Sequence, residues 1–220
     1  MRRAELIQQL AARLTGLSLP HPIRAAVDGF DAAGKTTLAE ELAEALRASG
    51  CPVVRASIDR FHNPRAVRYR QGPDSPAGYY EDSFDLAALR RDLLDPLGPG
   101  GSRQIKTALY DFRADAPVPA PQVQAAPNTI LVFDGVFLQR PELADAWDYT
   151  IFVQVEVETI LARAVQRDRD LFGDAQAVIE RYQARYLPAQ QRYLAEHRPN
   201  GKADVVVGND DVENPVIVRG

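Results

Sequence analysis

Cysteine, histidine and long apolar runs are scarce in this chain. Its 220 residues include one cysteine, Cys51, and three histidines. A single cysteine cannot close an internal disulfide, and no Cys/His cluster has the spacing of a structural zinc site. No apolar run approaches the length of a membrane span, and the segment that follows Arg2 and Arg3 is too polar for a signal-peptide core. We therefore expect a reducing, cytoplasmic setting and no membrane partner.

An excess of positive charge is also missing. The chain has 26 Lys and Arg residues against 30 Asp and Glu residues, which gives a formal net charge of -4. Sequence-independent binding to duplex DNA relies on many basic side chains, so we expect no nucleic-acid partner. A content of 45% hydrophobic and 25% charged residues is typical of a globular chain with one substantial core. We predict a single domain over residues 1–220.

Strand-like and helix-like segments alternate along the chain. Five apolar runs without clean polar alternation predict strands that are covered on both faces, at 23–28, 53–58, 130–133, 149–155 and 203–207. Apolar residues at helical spacing predict helices, notably at 3–14, 37–47, 86–94 and 159–167. The order predicts an α/β fold of three layers, with a central, mostly parallel five-stranded sheet and helices on both faces. Residues 1–20 form a helical extension in this scheme.

The first predicted strand leads into a phosphate-binding loop. Residues 29–37 read Gly-Phe-Asp-Ala-Ala-Gly-Lys-Thr-Thr and satisfy the pattern G-x-x-x-x-G-K-[ST] between a strand and a helix. Backbone amides there stabilise phosphate charge, Lys35 can reach the β- and γ-phosphates, and the Thr36 hydroxyl can ligate Mg²⁺. The pattern predicts ATP and Mg²⁺ as cofactors, and a glycine-rich turn without a ligand is the alternative. The predicted nucleotide-binding residues are Gly29, Asp31, Ala32, Ala33, Gly34, Lys35, Thr36 and Thr37.

Two carboxylates follow predicted strands at the edge where α/β sheets gather their ligands. Asp59 could align or deprotonate an attacking hydroxyl, or hold a metal through water, although carboxylates also cap loops. Asp134 follows the apolar run 130–133 and is the candidate for a second metal-holding carboxylate, although Asp-Gly is also a turn signal. The predicted metal site therefore contains Thr36, Asp59 and Asp134.

Four motifs in this order resemble the uridine kinase and phosphoribulokinase group of P-loop kinases. They occupy residues 27–37, 57–62, 110–112 and 133–136. The resemblance implies that Asp59 is the catalytic base and a metal-linked carboxylate, that Tyr110 lines the acceptor pocket, and that Asp134 lies near Mg²⁺. His62 stands where the family usually has Tyr, and we expect it to contact the acceptor. The resemblance places the acceptor-binding insert at 60–128.

Two departures from the family pattern affect the expected acceptor. The segment 78–85 reads Gly-Tyr-Tyr-Glu-Asp-Ser-Phe-Asp, which leaves Tyr79 where uridine-cytidine kinases have a ribose-binding acid. The histidine that helps to read the pyrimidine has no counterpart, and Asp115 falls near its place. The motifs therefore support a kinase more directly than they support uridine as its acceptor.

The resemblance also implies a lid at 163–175. Arg163, Arg167 and Arg169 follow the fourth predicted strand on a helical pattern, so they would close over the phosphates and stabilise the transferring group. The alternative is a solvated helix face with ion pairs one turn apart. The predicted catalytic residues are Asp59, Lys35 and Arg167. The predicted acceptor-binding residues are Asp59, His62, Tyr79, Tyr110 and Arg167, whereas Arg163 and Arg169 are assigned to the nucleotide.

Together these patterns predict an ATP-dependent kinase that phosphorylates a hydroxyl of a small, nucleoside-like acceptor, with uridine or cytidine as the first choice. Another riboside, a phosphosugar and a pantothenate-like alcohol remain alternatives. A hydrolytic NTPase switch is an alternative of another class, although the chain has no guanine-reading N-K-x-D segment. A non-catalytic nucleotide-binding module is also left open. The sequence is compatible with a homo-oligomer.

Overall fold

The computed structural model describes residues 1–220. The N-terminal part contains α1 (Arg3–Thr15), β1 (Ile23–Gly29), α2 (Lys35–Ala48) and β2 (Val53–Ser57). The insert contains a 3₁₀ turn (Ile58–Phe61), α3 (Arg65–Arg68), α4 (Pro76–Asp82), α5 (Leu86–Leu89), a π-helical turn (Arg90–Leu94), α6 (Asp95–Leu97), β3 (Gln104–Ile105), β4 (Tyr110–Asp111), β5 (Ala116–Pro117) and β6 (Val123–Gln124). The C-terminal part contains β7 (Ile130–Gly135), a 3₁₀ turn (Ala144–Ala146), β8 (Tyr149–Gln154), α7 (Val157–Phe172), α8 (Ala175–Arg181), a second π-helical turn (Tyr182–Tyr186), α9 (Leu187–His197), α10 (Pro199–Lys202), β9 (Val205–Gly208) and β10 (Val216–Arg219).

The central sheet has six strands in the order β10-β9-β8-β1-β7-β2. Five of them are parallel, and β10 pairs antiparallel with β9 at one edge. Every residue of β1 and β7 is buried, which requires cover on both faces of the sheet. The five predicted strands are confirmed, and β10 is an addition to them. Its residues are largely exposed, so the edge strand lacks the apolar run by which the others were found.

The helices follow the apolar spacing of the sequence. In α1, Leu6, Leu10 and Leu14 are fully buried, and α1 packs on α2, which in turn packs against β1, β2 and β7. The predicted helices at 3–14, 37–47 and 159–167 are confirmed within longer helices, and the one at 86–94 starts as α5 and continues through a π-helical turn. None of the helices combines the length and apolar character required for crossing a membrane.

The insert between β2 and β7 is held to itself by backbone pairing. His62 forms an isolated antiparallel bridge with Phe84, and the Asp85 amide donates to Phe61 O at 2.8 Å. Two small antiparallel pairs, β3 with β6 and β4 with β5, close the rest of the segment. This bonding brings His62 and the β4–β5 turn to the carboxyl ends of β1 and β7, where the order of the parallel strands leaves a crevice.

Candidate active site

The loop between β1 and α2 has backbone geometry that requires glycine at two positions. Gly29 has φ +148°, and a Cβ there would lie 2.4 Å from Val153 O. Gly34 has φ +90° and precedes the first residue of α2. Inside the loop, the buried Lys35 ammonium donates to Phe30 O at 2.6 Å. The loop thus presents a cationic side chain and the N-terminus of α2 to the same space, as a polyphosphate requires.

The loop is braced from the C-terminal side of the sheet. Asn209 Nδ2 donates to Ala33 O at 2.8 Å, and Asn209 Oδ1 accepts from Arg3 Nη1 at 2.9 Å. Arg163 Nη2 donates to Asn209 O at 2.7 Å and to Asp210 O at 2.9 Å. Arg163 therefore lies next to the loop, and its guanidinium is engaged with backbone carbonyls.

Thr36, Asp134 and Arg55 form a linked polar group beside the loop. Thr36 Oγ1 donates to Asp134 Oδ2 at 2.6 Å, and Arg55 Nη2 donates to Asp134 Oδ1 at 2.7 Å. Asp134 is only 2% exposed, so both of its oxygens are committed inside the protein. A hydroxyl that donates one hydrogen bond keeps its lone pairs, so Thr36 can still ligate a metal.

This group fits Mg²⁺ better than a metal that needs a full protein cage. No cluster of three His, Cys, Asp or Glu side chains with metal-binding geometry occurs in the structure. Mg²⁺ commonly keeps several waters and uses one or two protein ligands together with substrate phosphates. Thr36 would be the direct ligand, while Asp134, with both oxygens occupied, would act through a coordinated water.

Asp59 lies in the 3₁₀ turn that follows β2, and its side chain opens into the crevice. Enclosure by the surrounding walls and the negative charges of Asp31 and Asp134 raise its pKa to about 6. The positive charges of Lys35 and Arg167 act in the opposite direction. A carboxyl with a pKa near neutrality can accept a proton from a substrate and release it again, which suits a general base.

The crevice consists of two adjoining cavities that share Asp59. The first cavity, about 760 Å³, contains Thr36 and Asp134, and the second, about 460 Å³, contains Asp31 and His62. Asp59, Phe112 and Arg113 line both of them. The second cavity is further lined by Tyr79, Arg167, Asp168, Asp170, Leu171, Phe172, Tyr182 and Tyr186. Asp59 is thus a carboxylate that a ligand in either cavity can contact.

His62 is fixed in one tautomer at the wall of the second cavity. Its Nδ1 lies 3.0 Å from Asp59 O, and its ring packs between Phe84 and Phe112 at centroid distances of 4.6 and 4.7 Å. A carbonyl oxygen can only accept, so Nδ1 carries the proton and Nε2 is an acceptor. Burial lowers the pKa of His62 to about 4, which keeps the ring neutral. His62 can therefore accept a hydrogen bond from a hydroxyl.

Tyr110 does not line either cavity. Its hydroxyl donates to Asp115 Oδ1 at 3.0 Å, and the same oxygen accepts from the Arg65 amide at 2.8 Å and from Arg68 Nη2 at 3.2 Å. These contacts connect β4 to α3 within the insert. Tyr110 therefore lies apart from the other predicted acceptor-binding residues. Asp115 is engaged in hydrogen bonds within the insert.

The predicted lid arginines have three different settings. Arg167 lines the second cavity with a 55% exposed side chain, pairs with Asp168 at 2.7 Å, and donates to Tyr182 Oη at 2.8 Å. Arg163 faces the back of the phosphate-binding loop, as described above. Arg169 is exposed on α7 and lines neither cavity, and its side chain has no hydrogen-bond partner in the protein. Of the three, Arg167 alone is brought to the side of Asp59.

Several site residues were missed in the sequence. Arg55 is a charged residue in the middle of an otherwise apolar strand, which could have drawn attention to its buried partner. Arg113 directly follows the motif 110–112 and could have been included with it. Asp168, Tyr182 and Gln190 carry no local signal, because only the packing of α7, the second π-helical turn and α9 brings them to the second cavity or to Asp31.

Known proteins match this chain in sequence and in fold. The sequence profile of the phosphoribulokinase / uridine kinase family matches residues 25–212. Uridine-cytidine kinase B of Dictyostelium discoideum is 27% identical over 87% of this chain and 77% of its own length. A structure of a possible uridine kinase from Bacillus stearothermophilus superposes with a TM-score of 0.72, at 24% identity, over 92% of this chain and 97% of its own. A proposed fructose transport system kinase from Silicibacter sp. gives a TM-score of 0.70 at 26% identity, over 89% of this chain and 95% of its own.

Proposed function

This chain belongs to the phosphoribulokinase / uridine kinase family and is a P-loop phosphotransferase that acts on a hydroxyl group. From that premise we propose that it transfers the γ-phosphate of ATP, with Mg²⁺, to a hydroxyl of a nucleoside-like acceptor bound in the second cavity. The observation that carries the proposal is that Asp59 lines both the cavity beside Thr36 and Asp134 and the cavity lined by aromatic rings.

The phosphate-binding loop supplies most of the donor site. Its amides and the N-terminus of α2 bind the phosphate oxygens, and Lys35 exchanges the Phe30 carbonyl for the β- and γ-phosphates. When bound, Mg²⁺ supplies positive charge that neutralises the β- and γ-oxygens. Thr36 would hold the ion directly, and Asp134, which accepts from the Thr36 hydroxyl, would act through a coordinated water. Arg55 pairs with the second oxygen of Asp134 and so fixes the orientation of the carboxylate.

Asp59 aligns the acceptor hydroxyl for in-line attack and accepts its proton. Little covalent chemistry is needed from the protein in phosphoryl transfer, since the rate depends mainly on positioning and on charge stabilisation. Arg167 also lines the second cavity, and Asp168 and Tyr182 hold its guanidinium there. It stabilises the charge that develops on the transferring group when the lid closes.

The second cavity suits a neutral molecule with several hydroxyl groups. Its aromatic members can pack against a base or a sugar face. Its four carboxylates, Asp31, Asp59, Asp168 and Asp170, outnumber its two arginines, so a phosphate or carboxylate on the acceptor is disfavoured. Uridine and cytidine are therefore the first acceptors to test, ahead of a phosphosugar or a pantothenate-like alcohol.

A free monosaccharide is the second candidate. Two observations favour it: the departures from the pyrimidine-binding pattern at Tyr79 and Asp115, and the 26% identity with the proposed fructose transport system kinase. A monosaccharide would use the same carboxylates without a base stacked on the aromatic rings.

The test is an assay of ADP release with ATP and Mg²⁺, comparing no acceptor with uridine, cytidine, adenosine, D-ribose, D-fructose, ribulose 5-phosphate and pantothenate. Stimulation by a riboside supports the proposal as stated, and stimulation by a free sugar alone supports the second candidate. Stimulation only by an anionic acceptor contradicts the charge argument. Turnover that no acceptor changes indicates a hydrolytic NTPase, and the absence of turnover indicates a nucleotide-binding module.

A further inference from the structure

Asp31 lies in the phosphate-binding loop, but its side chain and its amide form hydrogen bonds with residues of α4 and α9. Asp31 Oδ2 accepts hydrogen bonds from Tyr79 Oη at 2.6 Å and from Gln190 Nε2 at 2.8 Å. Gln190 Oε1 in turn accepts the Asp31 amide at 2.9 Å. Gln190 is only 1% exposed, so this two-way contact with α9 is held rigidly. The amide of Asp31 is therefore not free for a phosphate.

The charge of Asp31 leads to the same assignment. A carboxylate beside a triphosphate is repelled unless it is turned away or paired with a cation. No arginine or lysine pairs with Asp31, and its side chain lies with Asp59, His62 and Tyr79 in the second cavity. The second oxygen of Asp31, Oδ1, has no hydrogen-bond partner within the protein.

The Tyr79–Asp31 pair presents two hydrogen-bond acceptors to the second cavity. Oδ1 of Asp31 can accept one hydroxyl, and the Tyr79 oxygen, whose proton is committed to Asp31, can accept another. Burial and the neighbouring Asp31 charge keep the pKa of Tyr79 well above its usual value, so the phenol stays protonated. Two adjacent acceptors match two neighbouring hydroxyl donors on a ligand and offer nothing to an anionic group.

We propose that Asp31 binds the phosphate-accepting substrate and not the nucleotide. Its carboxylate, positioned by Tyr79 and Gln190, binds a pair of neighbouring hydroxyls on a neutral substrate. The inference rests on the proposed function and restricts the class of acceptor that the site can bind. By the resemblance described above, Tyr79 stands where uridine-cytidine kinases have a ribose-binding acid; in this chain its hydroxyl donates to Asp31 of the phosphate-binding loop, which supplies a carboxylate beside that position. The acceptor is consequently a neutral riboside or sugar with a vicinal diol beside the phosphorylated hydroxyl.

The experiment measures the KM for the acceptor, the KM for ATP and kcat in the native protein, Asp31→Asn and Asp31→Ala. The acceptor is the most active neutral compound of the panel, paired with analogues that lack one hydroxyl, such as uridine with its 2′-deoxy and 3′-deoxy forms. Hydrogen bonds to a charged group support an expected rise of about ten- to hundredfold in the acceptor KM for Asp31→Ala, with the ATP KM within about threefold. Glu44→Gln, an exposed acid on α2, is the charge control.

A double comparison separates binding from a general structural effect. Removal of the hydroxyl that Asp31 binds should impair the native protein and leave Asp31→Ala with no further loss, because the same contact is then absent already. An unchanged acceptor KM in Asp31→Ala, or a tenfold weaker ATP affinity of that variant measured by calorimetry, overturns this inference alone. If the native protein phosphorylates no acceptor, the proposed function itself fails, and the inference fails with it.

Discussion

Thr36 Oγ1 donates a hydrogen bond to Asp134 Oδ2 across 2.6 Å, which joins the start of α2 to the end of β7. The two residues are 98 positions apart in the sequence and come together only because β1 and β7 are paired in the sheet. The contact gives the Thr36 hydroxyl a fixed direction. Its proton points to Asp134, and its lone pairs are left for a cation.

The first prediction concerns this hydroxyl. Thr36→Val, which keeps the shape and removes the hydroxyl, should raise the Mg²⁺ concentration for half-maximal rate at least about tenfold, since the ion loses a ligand. Thr36→Ser retains the hydroxyl and should stay within about threefold of the native protein. The measurement is the initial rate as a function of free Mg²⁺ at saturating ATP. Equal Mg²⁺ dependence in the valine and serine variants would contradict the assignment of Thr36.

The second prediction concerns the carboxylate shared by the two cavities. Asp59→Asn should lower kcat by about 10²- to 10⁴-fold, the usual contribution of a general base, and leave ATP affinity within about twofold. Calorimetry with ATP and a single-turnover assay measure the two quantities separately. Glu44→Gln removes a carboxylate from the exposed face of α2 and should be as active as the native protein. A fully active Asp59→Asn protein would falsify the role of Asp59.

The third prediction concerns Arg55 and its buried partner. Arg55→Met leaves Asp134, which is 2% exposed, with Thr36 as its one side-chain donor. An ion that loses its partner in the interior typically costs about 3 kcal/mol or more, so the free energy of unfolding should fall by roughly that amount. Urea unfolding followed by far-UV circular dichroism measures it. Arg47→Met, at an exposed position of α2, should change the free energy of unfolding by less than about 0.5 kcal/mol.

The fourth prediction concerns the protonation of His62. Burial between Phe84 and Phe112 lowers its pKa from 6.5 to about 4. In the unfolded chain the ring takes up a proton near pH 6.5, so the unfolded state binds more protons than the native state between pH 6.5 and 4. The contribution of His62 to stability is thus complete above pH 6.5 and decreases as the pH falls through that window.

Proton NMR of the His62 ring provides the direct measurement. The Cε1 proton should titrate with a midpoint near pH 4, and a midpoint near 6.5 would show that the ring is solvated. Asp59 has the opposite linkage, since its raised pKa lets the native state bind more protons between pH 3.8 and about 6. Urea unfolding of the native protein and of His62→Asn, compared as a function of pH, therefore isolates the contribution of His62 to the free energy of unfolding. The variant should lose less stability on acidification.

The sequence predicted the fold because the five parallel strands and the main helices are defined by local apolar patterns. The phosphate-binding loop was predictable for the same reason, since Gly29, Gly34 and Lys35 are required at fixed spacing by backbone conformation and charge. The strand β10 was not, because an exposed edge strand has no buried face to leave a pattern. The short insert helices α3, α4 and α6 were not predictable either, since three to seven residues carry too little periodicity.

The acceptor side of the site was less predictable than the donor side. The residues predicted to bind the nucleotide lie mostly in one continuous segment, the phosphate-binding loop. On the side of the phosphate acceptor, Gln190, Tyr182 and Arg113 come from separate elements. Asp31 was assigned to the nucleotide because it lies within the loop motif. Its hydrogen bonds with Tyr79 and Gln190 become apparent only when α4 and α9 are packed against the loop.

The position of β1 at the centre of the sheet has a consequence for synthesis on the ribosome. Both neighbours of β1, namely β7 and β8, are made about 100 residues after it, because Ile130 is the first residue of β7 and Gly29 the last of β1. At about 5–20 residues per second, the strand waits roughly 5–20 s without a partner. Its seven residues are all buried in the finished protein. The segment that carries the phosphate-binding loop is thus exposed to chaperones and to other nascent chains for nearly half of translation, and ATP cannot stabilise it until β7 has emerged.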